Sequence, residues 1–163
     1  MKHTISILVE NHAGVLARVA GLFARLGFNI DSLAVGVTED EKISRITIIA
    51  DGTAYTLEQI EKQLNKLIDV IKVRHLPAEE LLSRELVLIK VACQPSQRAE
   101  LISLAEIAKA KISDITVNTM TLELSDSVPR IKTFEELLRP YGIKETVRTG
   151  SIAMQKGGAS MKL

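Results

Sequence analysis

The chain has 163 residues, 46% of them hydrophobic, which is enough for one packed domain or two small ones. Its 21 basic and 20 acidic residues leave a net charge of +1, and only 3% of residues are aromatic, so the composition gives little support to binding of nucleic acid. No apolar run approaches the roughly 18 residues of a membrane span. The single Cys93 excludes an intrachain disulfide and fits a reducing compartment. We therefore expect a cytoplasmic protein without a signal or transit peptide.

The first half of the chain predicts the element order βαββαβ. Apolar residues at alternate positions indicate four strands, at residues 5–9, 29–37, 43–50 and 70–74. A first helix is predicted over residues 14–26, with Gly27 at the left-handed position that ends many helices. A capping box formed by Thr56 and Gln59 predicts the start of the second helix.

The second half predicts the same order again. Its strands are expected at residues 86–92, 112–117, 120–124 and 143–152. Its helices are expected to start near Pro95 and Pro129, and Pro140 and Gly142 mark the end of the last one. The fold class is therefore α+β, with two tandem ferredoxin-like βαββαβ domains. The expected boundaries are residues 1–76 for the first domain, 77–83 for a linker, 84–155 for the second domain and 156–163 for a mobile tail.

The second strand is predicted to lie at an edge of the first sheet, where a strand without proline or charge invites pairing. This strand has neither device in a stretch of five residues, Leu33, Ala34, Val35, Gly36 and Val37. We therefore expect a homodimer in which two copies of this edge pair about a two-fold axis. The third strand has apolar side chains on both faces, which indicates that the open face of the sheet also has a partner.

The turn between the first strand and the first helix is the most informative feature of the chain. Residues 10–19 lead from the strand through Gly14 into the helix, so backbone N–H groups and a positive helix end converge there. Such a place suits a carboxylate or a phosphate. Because the nucleotide-binding spacings G-x-G-x-x-G and G-x-x-x-x-G-K-[ST] are absent, a small free acid is the favoured ligand.

Each residue of this turn also has a simpler interpretation. Gly14 is equally consistent with a tight turn that needs glycine for conformational reasons. Asn11 is expected either to cap the turn or to accept a hydrogen bond from a ligand's ammonium group. Asn29 has the same two interpretations, and it reaches the turn only across a two-fold interface. His12 either contacts a carboxylate or is exposed to solvent, and we assign it no role.

No catalytic constellation is predicted. The spacings G-x-S-x-G, H-E-x-x-H and C-x-x-C are all absent, and the three histidines form no metal-ligand motif. Cys93 ends an apolar strand and is interpreted as a buried small hydrophobe. Glu79 and Glu80 are interpreted as part of a solvated linker. We therefore expect neither a catalytic residue nor a metal site in this chain.

Two segments of the first half, residues 8–19 and 27–35, closely resemble the regulatory small subunit of acetolactate synthase (acetohydroxyacid synthase). Further matching segments are residues 44–48, 57–64, 68–73, 84–91 and 148–150. The resemblance covers nearly the whole chain and is most specific over residues 1–75. The glycine turn alone would indicate only an ACT domain, which is the amino-acid-sensing module of many regulated enzymes.

The resemblance implies a non-catalytic subunit that has no cofactor of its own. In that family the large catalytic subunit carries thiamine diphosphate, magnesium and usually FAD, and it condenses two pyruvates, or pyruvate and 2-oxobutyrate. The small subunit raises this activity and confers feedback inhibition, typically by valine bound at the ACT dimer interface. The matching positions place Asn11, Gly14 and Asn29 at the effector. The expected wall of the same site consists of Ala13, Val15, Leu16 and Ile30.

Two other classes of function stay open at this stage. The chain would alternatively be a free-standing amino-acid-binding ACT regulator of another enzyme or of a transcription factor. The even charge distribution and the lack of a helix-turn-helix pattern lower the expectation of direct DNA binding. A stand-alone enzyme is the third and least supported class.

Overall fold

The computed structural model describes residues 1–162, and their contacts divide the chain into two units. The first unit consists of Met1–Leu82 together with the segment that begins at Ser151. The second unit is Ser83–Gly150. Among the described residues, no helix has the length and apolar character that crossing a bilayer requires.

The first unit has the predicted βαββαβ order. Its elements are β1 (Lys2–Glu10), α1 (Val15–Arg25), β2 (Ile30–Val37), β3 (Ile43–Asp51), α2 (Ala54–Leu64) and β4 (Val70–Leu76). The strands form an antiparallel sheet in the order β2-β3-β1-β4, so β2 lies at an edge as predicted. Alternate side chains of the central strands pack with both helices in one core, which includes Ile5, Ile7, Ile46, Ile48, Val19, Phe23, Ile60 and Leu64.

The start of α2 differs from the prediction. Thr53 is the N-cap residue, and its hydroxyl oxygen accepts a hydrogen bond from the Thr56 N–H at 3.2 Å. Thr56 lies inside the helix and donates its own hydroxyl to the Thr53 carbonyl at 2.7 Å. The capping box predicted at Thr56 and Gln59 is therefore wrong by one turn, because the sequence offers two threonines three residues apart.

The second unit repeats this order. Its elements are β5 (Leu81–Ala92), α3 (Arg98–Ala108), β6 (Lys111–Ile115), β7 (Thr119–Asp126), α4 (Val128–Leu138) and β8 (Ile143–Arg148). The sheet order is β6-β7-β5-β8. Cys93 is buried in the core of this unit, as its apolar context predicted. The predicted α+β class with two tandem ferredoxin-like units is thus confirmed.

The predicted strand over residues 143–152 is wrong, because the chain turns within it. The strand β8 ends at Arg148, Gly150 has a left-handed φ of +83°, and a short strand β9 (Ile152–Gln155) follows. The Thr149 N–H donates to the Leu86 carbonyl at 3.0 Å, which holds the turn.

The C-terminal segment lies against the first unit, on the sheet face opposite the helices. Arg45 Nη2 donates to the Ala153 carbonyl at 2.8 Å, and the Ser151 N–H donates to Ser32 Oγ at 2.8 Å. Arg45 pairs with Leu8 in the strand register, so both side chains lie on this face of the sheet. Leu8 is only 4% exposed there. Residues 151–162 thus belong to the first unit. The expected boundaries instead gave residues 151–155 to the second domain and 156–163 to a mobile tail.

The predicted linker over residues 77–83 also contains regular structure. Ala78–Glu80 forms a 3-10 turn, and β5 already begins at Leu81. The Glu80 carbonyl accepts a hydrogen bond from the Lys156 N–H at 2.8 Å. The last residue of the predicted tail, Leu163, lies outside the described residues.

Candidate effector-binding site

The loop between β1 and α1 turns through Gly14, the N-cap residue of α1. Gly14 has φ +86° and ψ −12°, a left-handed conformation that costs roughly 1–2 kcal/mol for residues with a Cβ atom. No side chain caps this helix end. The first-turn N–H groups therefore lack a side-chain partner, and together with the helix dipole they favour an anion.

Asp69 connects this loop to the start of β4. Its side chain is only 8% exposed, and its Oδ2 atom accepts a hydrogen bond from Arg18 Nε at 2.7 Å. The other carboxylate oxygen, Oδ1, lies 3.0 Å from His12 Nε2. The Asp69 carbonyl accepts the Glu10 N–H at 2.9 Å. Asp69 thus contacts one side chain before Gly14, that of His12, and one after it, that of Arg18. Its carbonyl also holds the backbone at Glu10.

His12 is exposed, with 48% of its side chain accessible, and it also contacts two carboxylates of this chain. Its Nε2 atom lies 3.1 Å from Glu10 Oε2 in addition to the Asp69 contact, and its Nδ1 atom lies 3.3 Å from the Ala13 carbonyl oxygen. The carbonyl of Ala13 and the carboxylate of Glu10 raise the pKa of His12, with a smaller contribution from the charge of Asp69. His12 therefore stays protonated to a higher pH than a free imidazole does.

Glu10, His12 and Asp69 also have the composition of a metal-binding group, because their ligand atoms lie within 4.8 Å of one another. Arg18 Nη2, however, lies 2.5 Å from Asp69 Oδ2 and places a permanent positive charge there. A divalent cation would meet repulsion from this guanidinium. The arrangement fits an ion-pair network better than a metal centre.

Asn11 borders an acidic cleft beside the loop. Its N–H donates to the Lys42 carbonyl at 2.8 Å, and its Nδ2 donates to the Glu41 carbonyl at 2.8 Å. With Nδ2 engaged, Oδ1 is the atom of this amide that is left to accept a hydrogen bond. The cleft measures about 650 Å³ and is lined by Glu10, Asn11, His12, Asp40, Glu41, Lys42, Ile43 and Ile71. The Glu10 carboxylate is paired with His12, so the carboxylates of Asp40 and Glu41 and the amide oxygen are the groups that suit an ammonium.

The other wall residues of the loop are divided between core and surface. Val15 is 3% exposed and packs in the core of the first unit, so it offers its backbone N–H but not its side chain. Leu16 is 42% exposed and supplies an apolar side chain at the surface. Ala13 is exposed as well. The loop therefore brings together five of the predicted site residues, Asn11, Ala13, Gly14, Val15 and Leu16.

Asn29 and Ile30 lie at the other end of the sheet. The register pairs both Ile30 and His3 with Ala50, whereas Val37 and Val9 both pair with Ser44. The strands β1 and β2 are thus parallel and aligned, and the seven steps from Ile30 to Val37 span about 23 Å. One chain alone does not bring Asn29 or Ile30 to the Gly14 loop. Asn29 Nδ2 instead donates to Asp31 Oδ1 at 3.0 Å.

The predicted dimer edge is open along much of its length. Val35 is 48% and Val37 62% exposed, Gly36 is exposed, and Leu33 and Ala34 are partly buried. Among the described strands, β2 pairs only with β3. Its outer side therefore has free backbone groups, and pairing with a second chain stays a prediction.

Two residues of this region, Arg18 and Asp69, were not assigned by the sequence. They are 51 positions apart, and no local pattern connects them. The only sequence signal is the position of Arg18, four residues after Gly14 and so on the same helix face as the turn.

Comparison with known proteins agrees with this architecture. The first unit is an ACT domain, since residues 5–72 match a family model described as the AHAS small subunit-like ACT domain. Residues 84–157 match a model described as the small subunit of acetolactate synthase. The chain belongs to the family of acetolactate synthase small subunits, which confirms the resemblance seen in the sequence.

Individual relatives agree over nearly the full length. The probable acetolactate synthase small subunit of Archaeoglobus fulgidus is 49% identical, over 96% of this chain and 98% of the relative. The acetolactate synthase small subunit of Mycobacterium leprae is 44% identical, over 95% of this chain and 92% of the relative. The crystal structure of the Thermotoga maritima small subunit superposes with a TM-score of 0.92 at 38% identity, covering 98% of this chain and 99% of the other.

Proposed function

We propose that this chain is the non-catalytic regulatory subunit of an acetolactate synthase in the biosynthesis of valine, leucine and isoleucine. It binds the large catalytic subunit, raises its activity and makes that activity sensitive to inhibition by valine. Thiamine diphosphate, magnesium and FAD belong to the large subunit, and this chain contributes none of them. The observation that carries the proposal is the uncapped N-terminus of α1 at Gly14, in a chain of this family.

The Gly14 loop offers complementary partners for both charges of a free amino acid. The N-terminus of α1 suits the carboxylate, because its N–H groups lack a side-chain cap. Oδ1 of Asn11 and the carboxylates of the adjacent cleft suit the ammonium group. Leu16 provides exposed apolar surface nearby for the effector's side chain. A phosphate ligand has no positive group that would pair with the carboxylates of the cleft.

The effector site is completed by a second copy of the chain. Antiparallel pairing of two β2 edges would carry the partner's start of β2 to the end at which β2 of the first chain finishes. Asn29 and Ile30 of one chain would then approach the Gly14 loop of the other. This arrangement accounts for site residues that lie at opposite ends of the sheet in one chain, where β2 alone spans about 23 Å. Binding of valine is therefore coupled to the dimer interface.

Reconstitution with the large subunit tests this function. The rate of acetolactate formation would be measured for the large subunit alone and with this chain, each with and without valine. We expect a higher rate with the chain and inhibition by valine only in its presence. A chain that binds valine but neither associates with the large subunit nor changes its rate would instead be a free-standing ACT regulator.

A further inference from the structure

Arg18 lies directly over the turn that begins α1. A Cβ atom built on Gly14 would lie 3.1 Å from Arg18 Nη1 and 3.8 Å from Cζ. Nη1 is therefore within contact distance of the loop whose backbone N–H groups face the proposed effector. The absence of a side chain at Gly14 is what leaves room for the guanidinium there.

Asp69 holds one edge of this guanidinium. Arg18 Nε and Nη2 lie 2.7 Å and 2.5 Å from Asp69 Oδ2, and the Asp69 side chain is nearly buried. Among the described residues, no acceptor is paired with Arg18 Nη1. Because a guanidinium is planar and rigid, fixing one edge also fixes the direction of the remaining N–H groups. The Arg18 side chain is 48% exposed, so a ligand in solvent reaches it.

We propose that Arg18 is a further effector-binding residue, whose Nη1 donates a charge-assisted hydrogen bond to the effector's carboxylate, and that Asp69 is the residue that positions it. This inference rests on the proposed function and adds a full positive charge to the dipole of α1. It makes the site selective for a free carboxylate over an uncharged amide. A hydrogen bond to a charged group contributes about tenfold to a hundredfold in affinity.

Calorimetric titration of the full-length protein with L-valine and with L-valinamide tests the inference. Arg18→Met removes the charge, and Arg25→Met makes the same change in the last turn of the same helix. We expect Arg18→Met to lower valine affinity about tenfold to a hundredfold and to leave valinamide affinity within about twofold. Arg25→Met should change neither. Arg18→Lys should recover part of the valine affinity, and Asp69→Asn should lower the affinity for valine alone.

The outcomes separate this inference from the function on which it rests. An equal loss for valine and valinamide would mean that Arg18 only supports the loop, and unchanged valine affinity would also overturn the proposal. If valinamide binds neither the wild-type chain nor any variant, the site discriminates fully against the amide. The test is then whether Arg18→Met loses valine affinity and whether Arg18→Lys recovers part of it. If Arg18→Met fails to fold, Asp69→Asn and Arg18→Lys are compared with the same ligands. A wild-type chain that binds no branched-chain amino acid would overturn the proposed function itself.

Discussion

Replacing Gly14 with aspartate places a carboxylate where the effector's carboxylate is proposed to bind. Two such charges about 4 Å apart repel by about 4 kcal/mol at an effective dielectric constant of 20. The loop is exposed, so screening reduces this to about 2–3 kcal/mol, or roughly 30-fold to 150-fold in affinity. The new side chain would also compete for the first-turn N–H groups. Its left-handed backbone adds about 1–2 kcal/mol of strain, which lowers stability.

Two control variants separate charge from strain. Gly14→Ala introduces the strain and a Cβ atom 3.1 Å from Arg18 Nη1 but no charge, so it should lower valine affinity less than Gly14→Asp does. Gly142→Asp makes the same substitution at another glycine with a positive φ, +97°, where the nearest contact of a new Cβ is the Ala92 Cβ at 3.7 Å. It should leave valine binding unchanged. Calorimetry would measure affinity, and urea denaturation would confirm folding. A folded Gly14→Asp chain with wild-type valine affinity would refute the assigned site.

Three further predictions concern the edge, the C-terminal segment and a histidine. Lysines at Val35 and Val37 should weaken the homodimer at least about tenfold, because like charges would face each other across the two-fold axis, and sedimentation would detect the monomer; an unchanged dimer would exclude pairing through β2. Deletion of residues 156–163 should lower the free energy of unfolding by about 1–2 kcal/mol, since hydrogen bonds to the first unit are lost; an unchanged urea midpoint would show that they contribute nothing. Burial and the nearby charge of His3 lower the pKa of His75, so its stabilising contribution is complete above pH 6.5 and is lost as pH falls below it. His75→Gln should therefore flatten the acid-side loss of stability in urea titrations, and a variant with the same pH profile as wild type would contradict this assignment.

The local patterns of the sequence were sufficient for the element order and for the position of the glycine turn between β1 and α1. Alternating apolar residues and a single glycine between strand and helix specify those features within a few positions. The same locality explains the error at α2. Both Thr53 and Thr56 satisfy the N-cap pattern, and only the backbone geometry shows which hydroxyl accepts a hydrogen bond.

Features that depend on contacts between residues far apart in the sequence could not be predicted from local patterns. The return of the C-terminal segment rests on contacts such as that of Arg45 with Ala153, which are 108 positions apart, in a stretch whose composition is typical of a loop. The pairing of Arg18 with Asp69 spans 51 positions and has no local signature either. Asn29 shows the converse case, since the resemblance assigned it to the site across a two-fold interface, and the fold places it far from Gly14 in one chain.

A mixed-dimer experiment tests most directly the claim that two copies share each effector site. Chains with Gly14→Asp and chains with Asn29→Ala carry different tags, so that the dimer containing one of each is purified and titrated with valine. Each parent homodimer has two defective sites, whereas the mixed dimer combines one intact loop with one intact Asn29. We predict that the mixed dimer binds one valine per two chains with wild-type affinity and that neither parent does. A folded mixed dimer that binds no better than its parents would contradict a site shared between chains.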